Sequence, residues 1–305
     1  MQRYLMARLL WMFPVLLSIS LITFVLMHAA PGGPWDGEKK LSPSVVEQLN
    51  LRYGLDRPVW EQYLTFLGNA LRGDLGVSFA YQDRSVVDVI GEGLPVTATL
   101  AAMALAVTLL IGLPLGIAAA LRQNSWIDHL CLLLATLGSC VPNFVLAIVL
   151  VIVLAVGLQL LPTSGWGSWQ KAVMPALALG FHHSALLARI TRASLIEVIR
   201  EEYVLTARAK GLREGVVLRR HILKNALIPV VTVLGPIVAS LIAGSFVIES
   251  VFAIPGVGRH YVQAIFGRDY GMLMGMTLFY AAIISLANLV VDVAYAYLDP
   301  RIRLR

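Results

Sequence analysis

The chain has 305 residues, of which 58% are hydrophobic and 14% charged. Soluble domains carry roughly 25% charged residues to coat their surface. A mean hydropathy of +0.77 therefore excludes a soluble α/β enzyme of this length and points to a membrane-embedded protein. The net charge is +6, from 24 Lys+Arg against 18 Asp+Glu, and where those charges fall says more than their sum.

A hydrocarbon core about 30 Å thick takes roughly 20 apolar residues per helix, and only helices or closed barrels cross it. The long apolar runs of this chain lack period-2 alternation, which selects helices. Six runs qualify: Leu9–Ala30, Leu94–Leu121, Leu130–Leu161, Ala172–Ala188, Ala226–Val251 and Met272–Leu298. The first is too long for a secretory h-region, so it is expected to stay as an anchor. The third exceeds one straight span but is too short for two spans and a turn. One tilted helix, bent near Pro142 where the backbone loses a donor, is the expectation there. Cys131 and Cys140 lie on opposite faces of that run and do not pair.

Lys and Arg in the short connections set the orientation. The N-terminal side carries Arg3, Arg8, Arg122, nine bases between Arg189 and Lys224, and Arg301, Arg303 and Arg305. The short connections on the other side carry only Lys171, Arg259 and Arg268. Both termini are thus expected in the cytoplasm.

The segment 31–93 is the one sizeable external piece, with nine acids against six bases. Ser42-Pro43 ahead of Ser44–Tyr53 reads as a cap and a short helix, and Val59–Leu71 as a second, amphipathic one. A small helical cap on the membrane surface is expected. The chain then divides into an anchor (1–30), this cap (31–93) and a core (94–305) with a cytoplasmic loop at 197–225.

No catalytic or metal constellation stands out. The chain has no GxxxxGK[ST] loop, no HExxH, no zinc spacing and no nucleophile elbow. His182 and His183 are adjacent, so their rings diverge on a helix instead of converging on one metal. Glu249 and Asp292 are the acids in or at the rim of the apolar runs, and they leave open a proton-coupled secondary transporter. Against that alternative, no repeat relates 1–160 to 161–305.

Between Arg189 and Lys224 the apolar positions recur at helical spacing, and Gly211 marks a helix end. On charge alone this is a positive-inside loop attracted to anionic lipid. No aromatic platform interleaves the bases, so no nucleic-acid partner is expected. Yet Tyr203-Val204-Leu205-Thr206-Ala207-Arg208-Ala209-Lys210-Gly211-Leu212, followed by Arg220-His221-Ile222-Leu223-Lys224-Asn225-Ala226-Leu227-Ile228-Pro229, resembles the EAA loop of ABC-importer permeases. The spacing from Gly211 to Pro229 is similar to the dipeptide/oligopeptide/nickel branch. Leu205-Thr206-Ala207 replaces the strict Glu-Ala-Ala, so the small-residue part of the motif remains and the ionic part is absent. Further strings of that branch follow in order: Tyr53-Gly54-Leu55-Asp56-Arg57-Pro58, Gly73-Asp74-Leu75-Gly76, Gly112-Leu113-Pro114-Leu115-Gly116, Phe252-Ala253-Ile254-Pro255-Gly256, Arg268-Asp269-Tyr270 and Asp299-Pro300-Arg301.

The resemblance implies an all-α polytopic membrane protein with six transmembrane helices, N-in/C-in, in an ABC-importer permease-like fold. It implies a multi-pass permease of the cytoplasmic (inner) membrane that moves di- or oligopeptides or a similar solute. The implied partners are a second, different permease subunit, two cytoplasmic ATPase subunits, an external solute-binding protein and membrane lipid. ATP and Mg would be held by the ATPase subunits, with no cofactor in this chain. By the same resemblance, Glu202–Gly211 is the coupling helix. Glu202, Tyr203, Thr206, Ala207, Ala209, Lys210 and Gly211 would meet the ATPase, with Ala207 and Ala209 allowing close approach and Asn225 and Pro229 leading into span five. Candidates for the translocation path are Thr97, Thr99, Ser139, Asn143, His182, His183, Ser240, Ser245 and Glu249.

Overall fold

The computed structural model describes residues 2–36, 41–81 and 84–298, with side chains for 6–36, 41–81 and 84–290. Lys39, Lys40, Asp299 and the arginines at 301, 303 and 305, with the side chains of Arg3 and Asp292, lie outside the described residues. Among those described, the regular structure is helical, with one isolated antiparallel bridge between Val77 and Ser85. The helices are α1 (Gln2–Ala29), α2 (Pro43–Tyr53), α3 (Val59–Ala70), α4 (Val86–Leu121), α5 (Trp126–Cys140), α6 (Asn143–Leu150), α7 (Trp169–Ile199), α8 (Glu202–Ala209), α9 (Glu214–Val216), α10 (Leu223–Ala226), α11 (Ile228–Ala243), α12 (Ser245–Val251), α13 (Val257–Phe266) and α14 (Tyr270–Leu298). Val151–Gly157 and Val217–Ile222 are π-helical. Four helices, in α1, α4, α7 and α14, are long and apolar enough to cross a membrane, and two bent pairs bring the number up to six.

The third apolar run bends at Pro142 as expected, but far more sharply than one tilted helix would. Val141 is extended, at φ −83° and ψ 119°, the conformation favoured for a residue that precedes proline. Pro142 offers no N–H, so α5 stops and the next helix starts at an angle of 103°. The single tilted helix is replaced by two legs. With 15 residues, α5 is about 22 Å long at ~1.5 Å per residue, which falls short of a hydrocarbon core by itself. The fifth run is likewise segmented: α11 follows α10 at a 49° bend and gives way to α12 at Gly244.

The chain forms two compact units. The first combines the chain up to Thr97 with Pro255–Leu286. Its core holds Val86, Val89, Ile90, Val257, Met272 and Met276. Helix α4 starts two turns before its apolar run, and this early portion supplies Val86, Val89 and Ile90. Gly271 and Gly275 let α14 approach the non-helical segment 75–77: a Cβ at 271 would stand 2.0 Å from the Val77 carbonyl oxygen, and one at 275 would stand 2.6 Å from that of Leu75. Asp269 is buried beside this contact. It accepts from Ser78 Oγ at 2.5 Å, Phe79 N at 2.9 Å, Ala80 N at 3.2 Å and Met272 N at 3.0 Å. It thereby caps α14 and fixes the turn at 78–80. The two short helices α2 and α3 form at the expected places. Ser42 stands at the N-cap position of α2, but its side chain makes no capping bond; its hydroxyl meets that of Ser44 instead.

The second unit runs from Ala98 to Ile254, with the chain from Ala287 onward. Here α4 and α7 pack through glycine. A Cβ on Gly180 would lie 2.4 Å from Ala104 O, on Gly112 2.8 Å from Ser184 O, and on Gly116 2.6 Å from Ala188 O. The numbers rise together along both helices, so the two run parallel. The Gly112-x-x-x-Gly116 pattern is thus an intrachain contact, and Pro114 does not break α4.

Candidate functional site

Helix α7 continues without a break to Ile199, so Arg189 and Arg192 lie on a helix and not in the loop expected for them. The turn at Arg200-Glu201 follows, with Glu201 extended at the N-terminus of α8. Helix α8 ends at Ala209, and Gly211 then takes φ +76°, the left-handed conformation that glycine tolerates at a helix end. Beyond it, the chain from 214 to 226 is divided into α9, the π-helical turn 217–222 and α10.

Two faces of α8 differ. Val204 and Ala207, three residues apart, are buried with Ala120, Leu195, Val217, Ile222 and Ala226. Ala207 therefore packs inside this chain and is not available to a partner, which corrects the expectation for it. Its small size serves close packing of α8 on its own base. The other face carries Glu202, Tyr203, Leu205, Thr206, Ala209 and Lys210, all exposed, and Gly211 and Leu212 extend it. Thr206 folds its hydroxyl back onto Glu202 O at 3.0 Å. The Tyr203 hydroxyl donates to His221 O at 3.3 Å and accepts from Asn225 Nδ2 at 2.6 Å, so Asn225 straps α8 to the segment that leads into α11. Pro229 stands exposed in the first turn of α11. Arg208 forks onto Glu214, at 2.8 and 3.3 Å, across the Gly211 turn.

The path candidates fall into small local groups. Ser245 donates to Glu249 Oε1 at 2.7 Å, and both are buried. Burial excludes the snorkelling interface position that Glu249 could have taken from its place in the sequence. The rings of His182 and His183 meet edge to face at 5.4 Å, and His182 Nδ1 lies 3.1 Å from the carbonyl oxygen of Gly138. Ser139 bonds Ala135 O on its own helix, and Asn143 is half-buried in the first turn of α6. Thr97 accepts from Val257 N at 3.1 Å and supports the start of α13; Thr99 and Ser240 are exposed. Among the described residues, no three His, Cys, Asp or Glu side chains gather as metal ligands.

Sequence reasoning missed Asp128 and Arg192. The Asp128 carboxylate is 2% exposed and takes both arms of the Arg192 guanidinium, Nε at 2.7 Å and Nη2 at 2.7 Å. Asn124 N donates to the same carboxylate at 2.9 Å, and Ser125 caps the backbone N–H of Asp128. The available signal was Arg192 in helical phase with Ala185 and Ala188, which continues the span beyond its apolar run.

The sequence matches the family described as binding-protein-dependent transport system inner membrane component over residues 112–304, and the N-terminal part of such membrane components over residues 1–101. It is 42% identical over 304 residues to the dipeptide transport system permease protein DppB of Bacillus subtilis (strain 168), spanning 100% of this chain and 99% of that one. It is 39% identical over 305 residues to the oligopeptide transport system permease protein OppB of Salmonella typhimurium, spanning 99% and 100%. Among solved structures, the inward-facing MetNI methionine ABC transporter aligns with a TM-score of 0.59 at 17% identity, over 70% of this chain and 97% of that chain.

The chain belongs to the family of binding-protein-dependent inner-membrane permeases. It is a multi-pass protein of the cytoplasmic membrane and a transport subunit, not an enzyme. These relatives give the proton-coupled alternative no support.

Proposed function

We propose that this chain is one membrane subunit of an ATP-driven importer of di- or oligopeptides, worked by α8. The solute class is taken from the relatives, whose names specify dipeptide and oligopeptide transport. The partners are a second permease chain, two cytoplasmic ATPase subunits that hold ATP and Mg, and an external solute-binding protein. The observation that carries the lever role is the division of α8 into a buried face on Leu195, Val217 and Ala226 and an exposed face from Glu202 to Lys210. A helix fixed this way transmits a push without absorbing it. The two arrangements of the permease are then biased by whichever one the ATP-bound motor favours.

Six crossings with both termini inside suit the packing. Helices α4 and α7 run in the same direction, so the chain must return between Leu121 and Trp169, and the broken pair α5–α6 is the segment that returns it. The basic residues of 200–224 then fall on the cytoplasmic side.

The test is a cysteine at Thr206 (Thr206→Cys) in the complete importer, with a short cross-linker. A cross-link to an ATPase subunit whose yield changes when ATP is added is the expected result. A cysteine that reacts only with lipid-borne probes overturns the lever role. Uptake of a mixed di- and tripeptide set, read by mass spectrometry, tests the solute class in the same preparation.

A further inference from the structure

We propose that the Asp128–Arg192 ion pair is a positioning clasp that makes the broken span α5–α6 travel with the lever helix α8, and so sets how much solute moves per ATP. The inference rests on the lever role of α8 given above.

The join between α5 and α7 is antiparallel and extends over the length of α5. At one end His182 Nδ1 lies 3.1 Å from Gly138 O. In the middle, Ala135 packs with Ala185 and Ala188, and a Cβ on Gly138 would meet Ala185 Cβ at 3.1 Å. At the other end stands the clasp, with both oxygens of Asp128 engaged by Arg192. Small apolar surfaces such as Ala on Ala fix the distance between helices, but they let one helix slide or roll on the other. A two-armed guanidinium–carboxylate fork is directional, so it fixes rotation and register as well.

Its position gives the fork something to transmit. Arg192 lies on α7 two turns before Ile199, and α7 leads through one tight turn into α8. Leu195, on the same stretch, is buried under Val204 and Ala207 of α8. A push on α8 therefore moves this end of α7. Asp128 passes the motion to the start of α5, and α5 ends at the 103° break that begins α6. The turn before α5 is held by the same carboxylate: Asn124, left-handed at φ +61°, donates its N–H to Asp128. Stability alone does not account for the pair, because well-packed apolar side chains of similar volume hold buried helices together at least as well as buried ions do.

The experiment uses the complete importer in proteoliposomes, with peptide uptake and ATP hydrolysis measured together. The variants are Arg192→Lys, which keeps the charge but loses the fork, and the double variant Asp128→Leu/Arg192→Met, which leaves no buried charge unpaired. Both are expected to assemble in normal amount and to lose at least fivefold in peptide imported per ATP hydrolysed. A smaller loss in either one, or a loss of uptake that merely follows the amount of assembled complex, overturns the clasp. The double variant keeps the test open where Arg192→Lys fails to assemble. The Thr206→Cys cross-link is read in the same preparations. Its absence from the complex with the clasp intact counts against the lever, whereas a normal cross-link with an unchanged ratio counts against the clasp alone.

Discussion

Two ion pairs of the second unit have nearly the same geometry and opposite surroundings. Arg192–Asp128 and Arg208–Glu214 are both guanidinium forks, with closest contacts of 2.7 and 2.8 Å. The Asp128 side chain is 2% exposed and that of Glu214 is 70% exposed. In water the fork replaces hydration that was already satisfactory and gains little. Under cover, removing the cation leaves a carboxylate with little solvent to compensate it, whereas Arg192, 22% exposed, keeps partial contact with water. Contact distance alone therefore does not separate these pairs, and burial does. The exposed pair spans the Gly211 turn, where the basic segment attracts attention in the sequence. The buried pair joins positions 64 residues apart.

The largest effect that separates the two pairs is expected from Asp128→Ala, which strands the Arg192 guanidinium between α5 and α7. Loss of one partner of a fully buried pair costs about 3–5 kcal/mol, and the 22% exposure of Arg192 sets the expectation at the lower end of that range. Denaturant unfolding of the detergent-solubilised chain is expected to show it, with Asp128→Leu/Arg192→Met recovering most of the loss. A cost below ~1 kcal/mol, the range of exposed pairs, would break the comparison at its base.

Asp269 in the first unit sharpens the same point, because it is as buried as Asp128 but is met by a hydroxyl and three backbone N–H groups instead of a cation. Asp269→Ala leaves these donors without their acceptor and removes the cap of α14. A loss of about 2–3 kcal/mol is expected, at roughly 1–3 kcal/mol for buried groups left unsatisfied. Unfolding of the purified chain checks it, with protease access to the 78–80 turn as a local reporter. If Asp269→Ala proves as costly as Asp128→Ala, burial of the carboxylate decides; a clearly smaller cost assigns the difference to the stranded guanidinium.

The sequence made the helices legible wherever a local signal fixes them. Pro43, Gly54 and Pro58 bound α2 and start α3, and Gly211 ends the α8 turn, because each imposes a backbone dihedral at its own position. Pro142 announced a break in the same way, but its angle depends on what α5 and α6 pack against, and that is not written locally. The inward turn of Ala207 was hidden for a related reason. Val204 and Ala207 are an apolar pair at i and i+3 that suits either a partner's groove or the chain's own base. Gly271 and Gly275 repeat the small-x-x-x-small spacing of Gly112 and Gly116. Their partner is the non-helical segment 75–77, so helix-packing rules alone do not find it. Asp128 and Arg192 were missed because the span was ended where its apolar residues ended, although a charge can continue a buried helix when its counterion waits on a neighbour.

The smallest effect belongs to Glu214→Gln. This change keeps the shape of the side chain and removes the charge that Arg208 meets at the surface. An exposed pair contributes about 0.2–1 kcal/mol and is screened at a Debye length of ~8 Å in physiological salt. Unfolding measurements at low salt are therefore expected to show a small loss, and at 1 M salt none. Arg192→Lys should lose stability at both salt concentrations, since the Asp128 carboxylate that it leaves half-engaged is 2% exposed. The decisive quantity is thus the difference in salt response between Glu214→Gln and Arg192→Lys. Equal responses would mean that ions reach Asp128 as easily as Glu214. The fork on α7 would then be as free to slip as the one across the Gly211 turn, and it could not carry motion from α8 into α5.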